Sequence, residues 1–385
     1  MNDELTFQEK LLKNIKKHKK KTKKHVFMVL PILLLILLVN AIYTPDVSTV
    51  ADADDDIFTA TFVGDIMMGR NVEKVIDQHG IGYLFEHVEP YLKASDYVTG
   101  NFENPILLGD EEDYVTAEKL IHLNAHPNSA AVLKKMNFSV LNIANNHGMD
   151  FKEKGLLDTG QAFSEEDLDL VGFGENLIDA QDNISIQEID GYKIATLGFT
   201  DAYTKEFPVS ERVPGVLVTD PEVMVPMIHE AEKQADFVFV HVHWGVEYDD
   251  SLHPRQEKLA EAISRAGADV IIGHHPHVLS SVDKIGDTVM FTSLGNFIFD
   301  QGWSRTRQSV LAQMKWQEDG VARFELTPFN IREARPLELG KASFVKRSKT
   351  FRQLTKNSDE IDFTKEDGKL TFEVDFSHKL KGSDR

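Results

Sequence analysis

Apolar and polar positions alternate along most of the chain in a pattern that predicts an α/β fold. The first clear apolar run, "IFTATFVG" at residues 57–64, is rich in β-branched and aromatic residues and predicts a buried strand. The amphipathic segment "NVEKVIDQHG" at residues 71–80 follows it and predicts a helix that ends at a glycine. A predicted helix is followed by a predicted strand three more times: helix 127–136 by strand 138–144, helix 222–234 by strand 236–245, and helix 255–266 by strand 269–273. Apolar runs that alternate with helices are typical of α/β proteins.

The apolar runs after residue 288 follow one another with no helical segment between them. "TVMFTSLGNFIF", "SVLAQMKWQ" and "VARFELTPFNI" predict strands joined by hairpins, with "EDG" at residues 318–320 as one turn. The sheets are therefore predicted to be mixed rather than purely parallel. Residues 57–334 form the predicted main domain. Residues 335–385 are a more polar C-terminal extension with a predicted closing hairpin at 361–376.

The N-terminal part of the chain predicts a membrane anchor. Residues 1–25 carry nine lysines, and the 18-residue run from Val26 to Tyr43 that follows has Asn40 as its only polar member. Eighteen helical residues extend about 27 Å, close to the hydrocarbon thickness of a bilayer. We therefore expect a basic cytoplasmic segment at 1–25, a transmembrane helix at 26–43, a polar linker at 44–56 and an extracytoplasmic body, because lysines favour the cytoplasmic side.

Two other interpretations of the apolar run stay open. The triplet "ADA" at residues 51–53 resembles the cleavage site of a signal peptide, although it lies eight residues beyond the run. The run could also form a buried helix. Cleavage of a signal peptide would still place the body outside the cytoplasm.

The net charge of the chain, −20, is distributed unevenly. Residues 1–25 hold nine lysines and three acidic residues, a balance of +6, which leaves −26 for the other 360 residues. An acidic body argues against nucleic acid as a partner, because phosphate contacts need a basic surface. Solubility alone would also explain the acidity. The chain has no cysteine, which excludes disulfides, thiolate metal sites and a cysteine nucleophile.

Polar residues with ligand or acid–base chemistry follow six of the predicted strands. In open α/β sheets, functional residues gather beyond the carboxyl ends of the strands. The residues at these ends are Asp65 and Arg70 ("GDIMMGR"), Asn101, Glu103 and Asn104 ("NFENP"), Asn145, Asn146 and His147 ("NNHGMD"), His241 and His243 ("HVHWG"), His274, His275 and His277 ("GHHPHV"), and Asn296 and Asp300 ("SLGNFIFD"). Taken singly, each could be a turn residue, a helix cap or a core histidine. Their coincidence at six strand ends favours a shared site.

The side-chain types at these ends favour a metal site. Carboxylate, amide oxygen and imidazole, with no thiolate, suit a borderline divalent ion such as Mn, Zn or Fe. If "HPH" is extended, His275 and His277 point to the same side and ligate the metal, whereas His274 points away from it.

The six motifs, in this order and preceded by a basic anchor, resemble the CapA- and PgsA-type poly-γ-glutamate synthesis proteins of capsule-forming Gram-positive bacteria. The resemblance covers almost the whole chain, including the anchor and the tail. These proteins are placed in the calcineurin-like metallophosphoesterase superfamily, whose fold is two mixed sheets sandwiched between helices. The resemblance therefore implies this four-layer fold and a site for two metal ions.

The resemblance also implies a role for each site residue. Asp65 and His277 correspond to ligands of the first metal, Glu103 stands where a bridging aspartate normally lies, and Asn146, His243 and His275 correspond to further ligands of the second metal. His147 corresponds to the neighbouring histidine that assists phosphoryl chemistry, so His147 and Asp65 are the catalytic candidates. The candidates for substrate binding are Arg70, Asn101, Asn296, Asp300 and Arg305. Arg305 lies in "WSRTRQS", whose arginines could equally be ordinary surface residues.

Two positions depart from the superfamily pattern. The histidine that normally follows the first aspartate by two residues is replaced by Met67, and the bridging aspartate is replaced by the longer Glu103. The second-metal set is complete, whereas the first has lost a ligand. We therefore expect at least one tightly held divalent metal, with a second left open, and a site that departs from a conventional two-metal hydrolase.

Three functions stay open on the sequence. The first is a membrane-anchored accessory protein of poly-γ-glutamate synthesis and export, working beside membrane-bound synthetase subunits and contacting the polymer. The second is an extracytoplasmic metal-dependent hydrolase of phosphoesters or γ-glutamyl amides, so that enzymatic activity itself is undecided. The third is a scaffold whose metal is structural.

Overall fold

A computed structural model describes residues 6–42, 56–303, 305–340, 343–358 and 360–380, with side chains of the first helix described as far as residue 35. The chain divides into two units, residues 1–46 and 47–385. The first unit contains helix α1 (Phe7–Ile42), which includes Pro31. No helix in the described ranges combines the length and apolar character that crossing a membrane requires. Tyr43 of the predicted anchor, and the predicted linker apart from Asp56, lie outside the described residues.

The second unit contains the strands and the remaining helices. In chain order the strands are β1 (Asp56–Ile66), β2 (Tyr97–Phe102), β3 (Val140–Asn142), β4 (Asp169–Val171), β5 (Phe173–Gly174), β6 (Ser185–Ile189), β7 (Tyr192–Thr200), β8 (Gly215–Val216), β9 (Phe237–His243), β10 (Val270–His274), β11 (Val282–Ile285), β12 (Thr288–Phe291), β13 (Asn296–Ile298), β14 (Gln308–Gln317), β15 (Val321–Arg332), β16 (Arg335–Glu338), β17 (Thr364–Glu366) and β18 (Lys369–Asp375). The helices are α2 (Arg70–His79), α3 (Glu89–Lys93), α4 (Ser129–Lys135), α5 (Lys152–Ser164), α6 (Leu177–Asp182), α7 (Pro221–Gln234), α8 (Pro254–Arg265) and α9 (Phe344–Leu354).

The strands form two mixed sheets and one short pair. The larger sheet has the order β17-β18-β15-β14-β1-β2-β3-β4, with β13 beside β1 and β16 beside β15. In it, β1 to β4 are parallel and β14, β15 and β18 continue antiparallel. The smaller sheet has the order β11-β12-β10-β9-β7-β6, with parallel β7, β9, β10 and β12 between antiparallel edges. Strands β5 and β8 pair separately.

Three hydrophobic cores define the layers. The core between the sheets includes an edge-to-face contact between Phe62 of β1 and Phe239 of β9, with ring centroids 5.1 Å apart. A second core joins the outer face of the larger sheet to α2–α5, and a third joins the smaller sheet to α7 and α8. The order is helices, sheet, sheet, helices, which confirms the predicted four-layer α/β sandwich.

Local sequence signals explain where α7 and α8 begin. The Asp220 side chain accepts a hydrogen bond from the backbone N–H of Glu222, and Pro221 occupies the first helical turn, where a missing N–H costs nothing. Before α8, the backbone N–H of His253 donates to the Gln256 side chain, and Pro254 begins the helix. These helices were predicted to within about one residue. Strand β7 and helix α5 were missed.

The predicted C-terminal extension packs into the larger sheet. Strand β18 pairs antiparallel with β15, from Val321 opposite Asp375 to Leu326 opposite Leu370. Strands β17 and β18 form a hairpin within the predicted range 361–376. The Lys369 ammonium on β18 contacts the Glu325 carboxylate on β15. The residues after 335 therefore add strands to the sheet that carries half of the candidate site.

Candidate metal centre

The carboxyl ends of the central strands bring the sequence-predicted residues together. In the larger sheet, Asp65 at the end of β1 lies in register with Asn101 of β2 on one side and Asn296 of β13 on the other. In the smaller sheet, His243 of β9 lies in register with His274 of β10. Because the central strands of each sheet are parallel, their ends share one edge, and the site lies where the two edges meet.

Two overlapping groups of side chains have ligand atoms within 4.8 Å of one another, and both include Glu103. One group is Asp65, Glu103 and His277, and the other is Glu103, His243 and His275. The Oε1 atom of Glu103 lies 3.5 Å from Nε2 of His277 and 3.9 Å from Nε2 of His243. Glu103 therefore stands between the two groups, as the resemblance implied for a bridging carboxylate.

Asn146 adds an amide oxygen to the second group. Its Oδ1 atom lies 2.9 Å from Nε2 of His243. Carboxylate, amide oxygen and two imidazoles then converge at one point, a donor set that suits a borderline divalent metal. All four predicted second-metal ligands are assembled.

The buried polar atoms of the site fit a bound cation. Both carboxylate oxygens of Glu103 are buried and have no hydrogen-bond partner within the described structure, and the same holds for Nδ1 of His275. A buried acceptor without a partner is costly, and a carboxylate more so than a neutral group. A divalent cation held by these residues would compensate the buried carboxylate, so the residues present fit the group that the resemblance implies.

Burial and neighbouring charges shift the pKa values of the two carboxyl groups of the site in opposite directions. Burial raises the pKa of Glu103 well above its usual value. Burial also acts to raise the pKa of Asp65, but hydrogen bonds and charges from His274 and His277 outweigh it and hold that pKa well below the usual value. The two buried carboxyl groups therefore differ in environment: the rings of His274 and His277 stabilise the charge of Asp65, whereas burial dominates at Glu103.

The histidines also divide into two kinds. Burial lowers the pKa of His243 well below its usual value and lowers that of His275 to about 3, which keeps both rings neutral and able to bind metal. Burial alone would lower the pKa of His277, but the carboxylates of Glu103 and Asp65 raise it to about 9. Metal binding at His277 would have to displace that proton.

The backbone of the histidine segment differs from the extended form that we considered. His275 and His277 have φ values of 98° and 55°, in the left-handed region that non-glycine residues rarely adopt. Both rings still reach the site, so turn geometry rather than strand alternation aims them. Backbone strain of this kind gathers at functional sites.

His274 belongs to neither ligand group, but its ring contacts the ligand Asp65. Its Nδ1 atom lies 3.4 Å from Oδ1 of Asp65, and its Nε2 atom lies 2.9 Å from Nδ1 of His241. The other ring nitrogen of His241 lies 2.8 Å from the Thr99 hydroxyl. This buried chain orients Asp65 from behind, which is the usual task of residues that support a metal ligand.

A network of buried asparagines holds the ligands from the larger sheet. Asn101 donates to Oδ1 of Asp65 at 2.8 Å and receives hydrogen bonds from Asn142 at 2.9 Å and Asn145 at 3.2 Å. A side chain at Gly198 of β7 would collide with Oδ1 of Asn142, because a Cβ there would lie 1.9 Å from it. Asn142, which ends β3, was not among the predicted site residues because it lies within the predicted strand 138–144.

His147 is held by two residues on different segments. Its Nδ1 atom lies 2.8 Å from Oδ2 of Asp150, and the Lys119 ammonium pairs with the other Asp150 oxygen. Lys119 also donates to the backbone oxygen of Asn146 at 2.6 Å. Burial lowers the pKa of His147, which keeps the ring neutral. Asp150 was visible in the quoted motif "NNHGMD", whereas no sequence signal marked Lys119.

Met67 occupies the position at which the resemblance implies a histidine, and its side chain packs in the core. Its side chain is fully buried in the core beneath α2, and its sulfur accepts a hydrogen bond from the backbone N–H of Gly69 at 3.3 Å. The first group of ligands is therefore limited to Asp65, Glu103 and His277.

The predicted substrate-binding residues fall into two sets. Asn101 and Asn296 are fully buried, and Oδ1 of Asn296 lies 2.9 Å from Nδ1 of His277, so both position ligands and have no surface to offer a substrate. Arg70 pairs with Asp300 at 2.5 Å, and its guanidinium lies 5.9 Å from the Phe299 ring. That ring packs 4.8 Å from His277, which places the Arg70–Asp300 pair beside the site.

Arg305 pairs with Asp250 at 2.6 Å, and Lys356 pairs with the same carboxylate at 3.1 Å. Tyr248, which no sequence signal marked, has its ring centroid 6.2 Å from that of His277 and 4.9 Å from that of the exposed Trp303. This aromatic pair forms part of the site mouth.

Comparisons with known proteins match the whole length of the chain. The profile of a family described as bacterial capsule synthesis protein, PGA_cap, matches residues 59–301. PGA biosynthesis protein CapA of Bacillus subtilis (strain 168) is 51% identical over 385 residues, covering 99% of this chain and 100% of that protein. Capsule biosynthesis protein CapA of Bacillus anthracis is 45% identical over 388 residues, covering 99% of this chain and 94% of that protein.

Among solved structures, the 5'-nucleotidase precursor from Thermus thermophilus aligns with a TM-score of 0.42 and 14% identity. The alignment covers 76% of this chain and 58% of that one.

Proposed function

The chain belongs to the bacterial capsule synthesis protein family PGA_cap, and from that membership we propose that it is an accessory component of poly-γ-glutamate synthesis and export whose body uses a divalent metal. The names of its Bacillus relatives support the synthetic role. Within the site, one observation carries the metal: both oxygens of Glu103 are buried without a hydrogen-bond partner in the described structure, between two groups of ligand side chains. Asn146, His243, His275 and Glu103 would hold it, whereas a second ion would have only Asp65 and His277 besides Glu103, because Met67 replaces a further histidine.

A bound divalent ion would supply a positive charge that can polarise a carbonyl or phosphoryl oxygen or bind a carboxylate. The protein residues do the rest. Nδ1 of His277 lies 3.3 Å from Oδ2 of Asp65, and His147, whose ring burial keeps neutral, is fixed by Asp150 next in the chain to Asn146. Arg70 with Asp300, and Tyr248 with Trp303, border the mouth and would orient a chain of γ-glutamyl units.

Because the body is strongly acidic, a bound cation would favour the binding of an anionic polymer. The residues after 25 sum to −26, which would repel a polyanion. The two arginines predicted to meet the polymer are each paired with an aspartate, Arg70 with Asp300 and Arg305 with Asp250. A metal ion in the site would therefore be the positive charge most available to the polymer carboxylates.

We place the body on the outer side of the cell membrane, anchored by the apolar run after the lysine-rich segment. Nine lysines within residues 1–25, followed by the apolar residues 26–43, support a cytoplasmic N-terminus. A body in that position meets the polymer as membrane-bound synthetase subunits deliver it. Labelling of an engineered surface cysteine in intact cells, with a reagent that does not cross membranes, tests this placement. Protection of a cysteine in the body until the cells are lysed would contradict it.

A second candidate function, hydrolysis of a phosphoester or γ-glutamyl amide, is favoured by the arrangement around His147. A neutral imidazole held by a buried carboxylate beside a metal-ligand set is suited to move a proton to or from a reacting group. The replacement of the first-motif histidine by Met67 weakens this candidate, because it removes a ligand from the first group.

Complementation of a strain that lacks the protein separates the two candidates. Wild-type protein should restore polymer output, and the Glu103→Ala/His275→Ala variant should fail to do so while remaining folded. Restoration of normal output by that variant would refute the use of a metal. A change in polymer length, or loss of turnover of a generic phosphodiester, in the His147→Ala variant would support the hydrolase function. If polymer length and phosphodiester turnover both equal those of the wild type, the hydrolase function is refuted.

A further inference from the structure

The segment at residues 107–124 forms a compact loop beside the metal centre. An isolated bridge between Ile106 and Ala125 closes its base, and the Asn124 side chain donates to the Glu111 carboxylate at 3.2 Å. Inside the loop, Leu107 and Tyr114 pack against Phe151. The loop has a closed base and an apolar interior, which is the construction of an Ω-loop, and such loops are frequently functional.

The outer face of the 107–124 loop exposes apolar side chains that the fold does not need there. Leu120 is fully exposed, and Val115, Ile121 and Leu108 keep 68%, 55% and 47% of their surface exposed. Isolated exposed apolar residues are common, but four on one closed loop are typical of an interaction surface. In the packed interior of the same loop, Leu107 and Tyr114 are below 10% exposed, so the outward apolar set is not a consequence of loose folding.

The inner side of the same loop reaches the metal centre through Lys119. This lysine contacts Asp150 and the backbone oxygen of Asn146, and it immediately precedes Leu120 and Ile121. Leu120 and Ile121 therefore follow directly after Lys119, the residue that supports Asn146 and His147. A molecule bound to Leu120 and Ile121 would therefore contact the loop within two residues of Lys119.

The charge of the loop limits what can cover it. Asp110, Glu111, Glu112, Asp113 and Glu118 are exposed, and none of them forms an ion pair with a residue of the described ranges. An anionic membrane surface and a polyanionic polymer would both be repelled by five carboxylates. A second copy of the acidic body would be repelled as well, since the residues after 25 sum to −26.

We propose that the 107–124 loop is the docking surface for a different protein that presents basic and apolar side chains together. Complementary charge would steer that partner to the acidic part of the loop, and Leu108, Val115, Leu120 and Ile121 would provide the apolar contact. This inference goes beyond the proposed role in polymer synthesis and stands or falls independently of it.

Site-specific photo-crosslinking of the full chain in intact, polymer-producing cells tests the proposal. A photo-reactive residue replaces Leu120 in one strain, and in a control strain it replaces Ile178, which is 71% exposed on α6. Since Leu120 has no packing role, its replacement leaves the fold intact. We expect one protein adduct at position 120 and none at 178, with the crosslinked peptide of the partner containing lysine or arginine next to apolar residues.

Charge reversal then tests the chemistry of the contact. Glu112→Lys/Glu118→Lys should lower the yield of the adduct about tenfold, equivalent to about 1.4 kcal/mol. Glu257→Lys/Glu261→Lys on α8, an equal change of charge elsewhere on the exposed surface, should leave it unchanged. An adduct with a second copy, a lipid or the polymer would overturn the proposal, as would the absence of an adduct or a yield insensitive to the loop charges. Polymer output is measured separately and does not enter this test.

Discussion

Nε2 of His243 lies 2.9 Å from Oδ1 of Asn146, although the two residues follow strands of different sheets. His243 ends β9 of the smaller sheet, whereas Asn146 lies beyond β3 of the larger one. Both atoms are of the ligand types that a borderline divalent metal would draw together. The candidate centre therefore joins the two halves of the sandwich at their shared edge.

Loss of His275 is expected to remove the metal. The His275→Ala variant deletes one of the two imidazoles in the second group, and so removes one of the side chains that would hold the metal. We expect stoichiometric Mn, Zn or Fe in the purified full-length wild type and little metal in the variant, measured by elemental analysis. His229→Ala, a change of a histidine on α7 outside the site, is the matched control and should keep its metal.

A wild-type protein that is folded and metal-free after expression with each of the three metals would contradict this prediction. So would a His275→Ala variant that retains a full equivalent.

Restoring the missing histidine should increase metal content. Met67 lies two residues after Asp65, and the first group of ligands contains Asp65, Glu103 and His277. An imidazole at position 67 would add a fourth ligand, so Met67→His should raise the metal content by about one equivalent. Met68→His, at a neighbouring position that is also fully buried, controls for the cost of placing a histidine in the core. Equal metal content in folded Met67→His and wild type would show that this position does not face the first metal.

Much of this site could be predicted from sequence because its residues sit at strand ends within short motifs. Asp65, Glu103, Asn146, His243, His275 and His277 all belong to such motifs, and the structure brings all six together. The period of the apolar runs predicted the alternation of strands and helices, and the hairpins after residue 288 predicted the mixed sheets. Both signals depend only on residues that lie close together in the sequence.

The parts that sequence reasoning missed depend on contacts between distant segments. Lys119 reaches Asp150 from a loop that carries no recognisable motif, and Asn142, which ends β3, lies within the longer strand predicted at 138–144. The orientation of His274 depends on His241 of the adjacent strand, which no spacing within "GHHPHV" can indicate. Strand β7 was missed because residues 201–220, which hold only the short strand β8, separate its "YKIATLGFT" run from the next helix, α7.

Removal of the Lys119 charge should weaken both the fold and the metal centre. Lys119→Met leaves the buried Asp150 carboxylate without its cation, which costs about 3–5 kcal/mol for a buried pair. Loss of the contact to the Asn146 backbone should also lower metal affinity by about 10-fold to 100-fold, the usual effect of removing a support behind a ligand. Chemical denaturation measures the first effect and competition with a chelator measures the second.

Two further variants distinguish support of the ligand from a general loss of stability. Lys119→Met/Asp150→Asn removes both charges and should recover most of the stability without recovering the metal affinity. Lys154→Met removes an exposed lysine that pairs with Asp158, and should change neither quantity by much. If metal affinity returns together with stability in the double variant, Lys119 has only a structural role.

The pairing of the C-terminal strand with the larger sheet should depend on pH through Glu325. Burial acts to raise the pKa of Glu325, but the hydrogen bond and charge of Lys369, with the charges of Lys315 and Arg323, outweigh it and lower that pKa. A carboxyl whose pKa is lower in the folded state stabilises the fold above its unfolded pKa, about 4.3, and this contribution is lost as the pH falls through the folded value. At pH 7, Glu325→Gln should therefore lower the free energy of unfolding by an amount on the order of 1 kcal/mol.

The difference in stability between Glu325→Gln and wild type should shrink as the pH is lowered below about 4. Urea denaturation of both proteins across this pH range measures the difference, and Glu318→Gln, in the turn between β14 and β15, serves as the control with little expected effect. A difference that stays constant from pH 7 to pH 3 would show that the pairing of Glu325 with Lys369 contributes through packing alone, since a charge-based contribution must vanish once the carboxyl is protonated in both states.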